Sequence, residues 1–299
     1  MKYGFIGLGE LGSGLVGSLL KHGFEVAIND ISTTNKDALV SKGAVWFDDQ
    51  AALASDVDAV ITCLPSPTIS QKILDGLCKN MRKGATWIEM STVSREDILR
   101  MSAQARDAEI ETLELPVTGG VHLAKRGEIT MLVGGEKSVF DTHEPAIKAM
   151  GNRVFHMGPI GSAAIIKVIT NMLAFIHLKA DAEALMLAKR GGLDLATAWE
   201  AIKASSGNSF VHETEGALIL NGSYDVGFNM DLALKDLGFA MSFGREFGVP
   251  LELASATEQT YVEAKAAYGG EAQSPMIAKL LEDRLDTDLR AEGFPARLV

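Results

Sequence analysis

Apolar residues in the first half of the chain fall in short runs, and between them apolar positions recur every three or four residues. The runs predict strands at Tyr3–Ile6, Phe24–Asn29, Ala59–Leu64, Trp87–Met90, Glu111–Leu115 and Thr130–Val133. The intervening pattern predicts helices over Glu10–His22, Asn35–Lys42, Ile69–Leu77 and Arg95–Ala108. Strand–helix alternation of this kind implies an α/β, doubly wound parallel sheet. After about Gly158 the strand-like runs become scarce and helical patterns follow one another: Ser162–Lys189, Leu195–Ser205, Val211–Leu220, Asp231–Phe247, Leu251–Ala267 and Met276–Leu285. Asp194 is placed to cap one of these, Pro250 and Pro275 to open two more, and Gly191–Gly192 to stop the longest. The expected organisation is therefore 1–160 as the sheet domain and 161–299 as an all-α C-terminal domain, joined by a long helix.

Composition narrows the class. The 299 residues carry 28 Lys and Arg against 39 Asp and Glu, a net charge of −11, with 47% hydrophobic and 22% charged residues. This is the balance of a globular protein, and it argues against nucleic acid as the main partner, since phosphate binding needs a basic surface. Two cysteines, Cys63 and Cys78, make no disulfide framework and fit a reducing compartment, and the histidines show no metal-ligand spacing, so no metal is expected. The N-terminus lacks the look of a leader. Ile160–Leu178 is apolar enough to raise a membrane span, but it contains Lys167, Asn171 and His177. A buried helix in a cytoplasmic protein is the better reading, with no membrane partner.

The opening YGFIGLGELGSGL places Gly7, Gly9 and Gly12 as GxGxxG between a strand and a helix. Gly7 permits a tight turn, Gly9 lets backbone approach a pyrophosphate, and Gly12 allows close helix–strand packing, with the helix N-terminus toward the anion. Asp30 follows at the end of the next strand, where a carboxylate accepts from the ribose hydroxyls and repels a 2′-phosphate. Lys36 is the one cation nearby. These features predict a Rossmann domain that binds NAD in preference to NADP. The other reading of Asp30 is a turn or capping residue.

Two further segments carry chemistry. Lys167 and Asn171, at i and i+4, share a helix face among Ile165, Ile166, Val168, Ile169, Met172 and Leu173. Apolar surroundings disfavour an ammonium, which makes Lys167 a candidate general acid/base; the plainer alternative is a lysine snorkelling at a helix edge. Gly158 and Gly161 just before it would let a ligand approach the backbone. Thr118, Gly119 and Gly120 follow Pro116 and offer a hydroxyl and backbone N–H groups to a carboxylate.

Taken together, these motifs resemble the β-hydroxyacid dehydrogenase family, which includes 3-hydroxyisobutyrate dehydrogenase and the 6-phosphogluconate dehydrogenase relatives. GFIGLGELG is similar to its cofactor motif, LPVTGG at Leu115–Gly120 to its substrate motif, the Gly158–Gly161–Lys167–Asn171 spacing to its catalytic motif, and KDLGFA at Lys235–Ala240 to its C-terminal motif. The resemblance implies that Gly7, Leu8, Gly9, Glu10, Leu11, Gly12, Asp30, Leu64, Pro65 and Thr92 meet the cofactor. It implies Lys167 as acid/base and Asn171 as the residue that holds and orients substrate. Thr118, Gly119 and Gly120 would bind the substrate carboxylate. Lys235 would serve cofactor and substrate, with Asp236 supporting it. The chain departs from the family's usual pattern at Leu11, Ser18, Arg95, Thr118, His122, Leu123 and Ala163. His122 is a candidate for reading a polar substrate tail, and Arg126 for a second anion contact or a plain surface role.

The expected activity is NAD-dependent oxidation of a small 3-hydroxy carboxylic acid to the semialdehyde or ketone. A reductase of small aldehyde-acids, an imine reductase and a non-catalytic dinucleotide-binding module are the alternatives. Asp30 opposes the NADP preference common in the first. Lys167 opposes the second, and the pairing of Lys167 with Asn171 opposes the third. By analogy the protein would be a homodimer or homotetramer.

Overall fold

Buried β-rich runs build a sheet whose strands are β1 (Lys2–Ile6), β2 (Glu25–Asn29), β3 (Val45–Trp46), β4 (Ala59–Thr62), β5 (Thr86–Glu89), β6 (Glu111–Glu114), β7 (Val117–Thr118), β8 (Thr130–Gly134) and β9 (Arg153–Gly158). This computed structural model describes residues 1–298, which fall into two compact units, Met1–Lys167 and the chain from Val168 onward. In the first, the order is β3-β2-β1-β4-β5-β6-β8-β7, with β9 paired to β8. The stretch from β3 to β6 is parallel throughout. β8 then runs antiparallel to β6, and β9 parallel to β8, so the sheet is mixed at that end. The parallel part has the dinucleotide-binding order, with its switch point between β1 and β4.

Alternate residues of each central strand serve opposite faces. Phe5, Ile61 and Ile88 pack with Leu15, Leu19 and Ile147 on one side. Ile6, Val60 and Trp87 pack with Leu53, Leu74 and Ile98 on the other. Helices cover both faces, which is why these strands read as continuous apolar runs rather than alternating ones. Three strands escape the sequence pattern. β3 and β7 have two residues each, and β9 alternates exposed and half-buried positions with no fully buried one. The helix Lys137–Met150 escapes it too, since Pro145 lies inside it and removes one backbone donor.

The second unit is helical around Phe175, Leu178, Leu185, Trp199, Ile219, Tyr261 and Leu280. Asp194 caps the Leu195–Lys203 helix as expected, accepting from Thr197 N–H at 2.9 Å. The pattern over Val211–Leu220 resolves into two helices, Phe210–Glu213 and Glu215–Asn221, broken at Thr214. Pro250 stands outside its helix, which starts at Glu252. The helix Ser162–Arg190 is long and apolar enough to cross a membrane by composition. It is not buried all along, as the sequence suggested: Ile169, Leu173 and Leu187 are exposed.

Candidate active site

The first glycine turn has the shape that a dinucleotide requires. Gly7 adopts φ +101°, and a Cβ there would lie 2.2 Å from the Cys63 carbonyl oxygen. A Cβ on Gly12 would lie 2.0 Å from the Gly7 carbonyl oxygen, so the helix Glu10–Lys21 can approach β1 only without one. Gly9 is the opposite case, with nothing within 4 Å of where its Cβ would be. The closed sides of the turn are filled by protein and the open side faces outward, which fits a pyrophosphate against the helix N-terminus. Leu8 turns its side chain into the core, so only its backbone belongs to the loop. Its N–H donates to Asp30, whose other carboxylate oxygen accepts from Ser32 N–H at 2.7 Å. Asp30 thus does double duty: it shapes its own turn, and that turn holds the carboxylate against the glycine loop. Lys36 stacks over the Trp46 ring at 4.6 Å. Leu64 is tied to the next strand end through its N–H to Ser91 Oγ, 2.8 Å, with Pro65 beside it. The Glu10 carboxylate is exposed and pairs with Lys125 at 2.7 Å, and Leu11 is half-buried against the core.

Lys167 is 9% exposed and lines a narrow crevice with Glu89, Ser91, Thr92, Glu114 and Pro116. The snorkelling alternative is therefore not what the fold shows. Nor are the surroundings simply apolar, as the flanking isoleucines implied. Two buried glutamates, Glu89 and Glu114, close β5 and β6 at paired register positions and line the same cleft. Glu89 accepts from Ser91 N–H at 2.6 Å and from Thr62 Oγ1 at 2.9 Å, and Thr62 Oγ1 in turn accepts from Trp87 Nε1 at 2.9 Å. Burial pushes the Glu89 carboxyl upward against those donors. Glu114 accepts from the N–H groups of Gly161, Ala163 and Ala164, at 2.6, 2.9 and 3.0 Å. Burial pushes its pKa up to about 7, opposed by these three donors. Gly161, with φ +97°, and Gly158, with φ +122°, thus shape the start of the helix, and Gly161 N–H goes to Glu114 rather than to a ligand. Motif reading missed both glutamates. Each is an acid closing a strand, β6 opening on a second acid, Glu111, and nothing in that pattern names the partners.

The second glycine turn lies where β7 ends. Gly119 and Gly120 adopt φ +123° and +87°, which β-carbon-bearing residues resist. His122 folds back over it, since a Cβ on Gly120 would lie 3.1 Å from His122 Nδ1. Burial, then Arg126, lowers the His122 pKa, with Glu128 opposing. Arg126 pairs with Glu128 at 3.0 Å. In the helical unit, Asn171 donates through Nδ2 to Asp236 Oδ2 at 2.6 Å. Lys235 Nζ lies 3.3 Å from Asp236 Oδ1, an ion-pair distance without hydrogen-bond alignment. Three of the motif residues thus form one linked group around a buried carboxylate.

Comparison with known proteins places these features in a wider set. The family model for the NAD binding domain of 6-phosphogluconate dehydrogenase matches residues 2–158. The model for the NAD-binding region of NADP-dependent 3-hydroxyisobutyrate dehydrogenase matches residues 161–281. The chain is 32% identical to 2-(hydroxymethyl)glutarate dehydrogenase of Eubacterium barkeri, over 94% of this chain and 95% of that one. It is 31% identical to L-threonate dehydrogenase of Cupriavidus necator, over 92% and 94%. Among solved structures, 3-hydroxyisobutyrate dehydrogenase of Mycobacterium tuberculosis, described with L-serine, superposes with a TM-score of 0.84 at 26% identity, over 94% of this chain and 98% of that one.

Proposed function

The chain belongs to the β-hydroxyacid dehydrogenase family, and from that premise we propose that it oxidises a small 3-hydroxy carboxylic acid to the semialdehyde or ketone, with NAD preferred to NADP. It is an NAD-dependent dehydrogenase by family. The substrate class is supported by what its relatives are named for: 2-(hydroxymethyl)glutarate and L-threonate, and L-serine in the solved structure, each carry a hydroxyl β to a carboxylate. The observation that carries the chemistry is Lys167, drawn out of solvent into a cleft with Thr92 and Pro116 beside the ends of β5 and β6. That edge lies two to three strand steps from β1 and its glycine turn, about 10–14 Å at usual strand spacing. An extended dinucleotide covers such a distance.

The bound dinucleotide supplies the hydride acceptor. The Thr118 hydroxyl and the Gly119 and Gly120 N–H groups hold the substrate carboxylate. Lys167 in its unprotonated form takes the hydroxyl proton at Nζ as the carbon–hydrogen bond is broken, and returns it in the reverse direction. Asn171, one helical turn further on, holds and orients the substrate, and Lys235 assists binding. Asp30 accepts from the ribose hydroxyls, while Lys36, held on Trp46, is not set aside for a 2′-phosphate. The same reading makes the protein a soluble enzyme of the cytoplasm, assembled as a homodimer or homotetramer.

NADH formation across a panel of 3-hydroxy acids, run with NAD and NADP in parallel, tests the reading. Turnover of none of them with the cofactor bound would favour a non-catalytic module. Lys167→Ala is expected to lower kcat by roughly 10²–10⁴, the usual worth of acid/base help. NADH binding should persist in that variant, and near-wild-type turnover would remove Lys167 from the chemistry.

A further inference from the structure

We propose that Glu114 is a positioning residue for Lys167: its carboxylate grips the three backbone N–H groups that open the Ser162–Arg190 helix and so fixes where the second turn of that helix presents the amine. The inference rests on the acid/base reading of Lys167. Its basis is geometric. Oε1 accepts from Gly161 and Ala163 and Oε2 from Ala164, while Ser162 N–H goes to the Pro159 carbonyl at 3.1 Å. Every donor from 161 to 164 is thereby satisfied, three of them by one side chain from β6. A capping residue ordinarily comes from the helix's own entry segment. Here it comes 47 residues earlier in the chain for Gly161, from the strand that leads into the Thr118–Gly120 turn. The helix start and the carboxylate-binding turn are therefore referenced to one strand.

Room for the grip has been made on purpose. A Cβ at Gly134, the register partner of Glu114 on β8, would lie 2.1 Å from Oε1. Gly134 is not a positive-φ glycine, so its bareness serves space rather than backbone conformation. An acceptor-only group meeting three donors at a helix N-terminus favours the ionised carboxyl. Desolvation opposes this and brings the titration near neutrality. The charged and titratable groups set around it are Glu89 from β5, Lys167 in the same cleft, and Arg95, whose Cγ would lie 3.3 Å from a Cβ at Gly161. His156 of β9 is turned to the Gly135 carbonyl, and His143 of the Lys137–Met150 helix binds Thr86 at the opposite end of β5.

The test is kcat and KM as a function of pH for the wild type, Glu114→Gln, Glu114→Asp and Lys167→Ala, with NADH binding followed by fluorescence. Glu114→Gln should keep NADH affinity and lower kcat by about tenfold to a hundredfold, the scale of a small misplacement of a reacting group. If the ionised carboxylate is what grips the helix, the wild type should show a rise in kcat near pH 7, and Glu114→Gln should lack it. Glu114→Asp keeps the charge and should recover part of kcat and the rise itself. Wild-type kcat and an unchanged pH profile in Glu114→Gln, with Lys167→Ala inactive, would overturn this inference alone. Normal turnover in Lys167→Ala would overturn the acid/base reading beneath it. Should Glu114→Gln not fold, hydrogen exchange in the wild-type protein decides. Corrected for intrinsic rates, the amides of Gly161, Ala163 and Ala164 should exchange faster below pH 7 than above it, and equal protection would refute the grip.

Discussion

Gly9, which caps the helix Glu10–Lys21, and Gly12, inside that helix, are glycines for unlike reasons. Gly12 is hemmed by backbone and cannot take a Cβ without parting helix from strand, whereas Gly9 faces open space. Gly12→Ala should therefore lower Tm by several degrees, since a clash with backbone in a packed region costs on the order of 1–3 kcal/mol. Gly9→Ala should leave Tm nearly unchanged and weaken NAD binding. A calorimetric scan beside a cofactor titration separates the two, and an equal loss of Tm in both would refute the assignment. Removing the carboxylate in Asp30→Ser should raise the NADP:NAD ratio of kcat/KM, and an unchanged ratio would show that Asp30 does not read the ribose. The GxGxxG spacing and Asp30 were legible because backbone geometry leaves a residue-type signature. Glu114 was not, because nothing in a strand-closing acid says which distant N–H groups it will meet. Its raised pKa also has a stability consequence. A carboxyl whose folded pKa exceeds its unfolded one contributes stability below about pH 4.5 that is lost as pH rises through about 7. Glu114→Gln leaves one of its N–H partners without an acceptor and should be less stable at pH 5, but it should lack the decline, so the Tm gap to the wild type should narrow between pH 5 and 8; a constant gap would contradict the sign.

At the level of elements, the helices that announce their caps were readable and the short strands were not. Asp194 and the Gly191–Gly192 stop lie where local chemistry put them. β3 and β7 are too brief for any period to show, and β9 lacks the buried face that periodicity detects. The antiparallel turn of the sheet after β6 was invisible for another reason, since strand direction is decided by tertiary pairing and not by composition. The family resemblance singled out Asn171, Lys235 and Asp236, and the fold links them across two helices. Asp236 is 1% exposed, so Asp236→Ala removes a charge-assisted hydrogen bond from a dry place. That should cost about 1.5–3 kcal/mol of stability and raise KM for the acid more than KM for NAD. Equal KM values in variant and wild type would confine Asp236 to a packing role.

Across the whole molecule, two stabilising arrangements differ in how they answer pH. The helical unit holds a buried His212–Asp181 pair at 2.5 Å, with His212 Nε2 on the Trp199 carbonyl at 2.9 Å. Burial works against the imidazolium, but the Asp181 and Trp199 bonds outweigh it and the His212 pKa is raised. Stability from this pair is complete below the unfolded value of about 6.5 and fades as pH climbs through the raised folded value. Urea unfolding of His212→Gln should show a shallower alkaline loss than the wild type; parallel curves would dismiss the pair. Exposed Ile169, Leu173 and Leu187 on the long helix support the proposed self-association, which light scattering on the eluting protein checks directly, a monomer mass refuting it. The three donors that meet Glu114 have a last implication for anyone dissecting the gene. A fragment stopped at Ile160 would strip that carboxyl of every N–H that now donates to it, whereas one continued past Lys167 would keep them. The tidy cut at the glycines is thus the wrong one, and the longer piece should be the one that expresses as a folded, dinucleotide-binding protein.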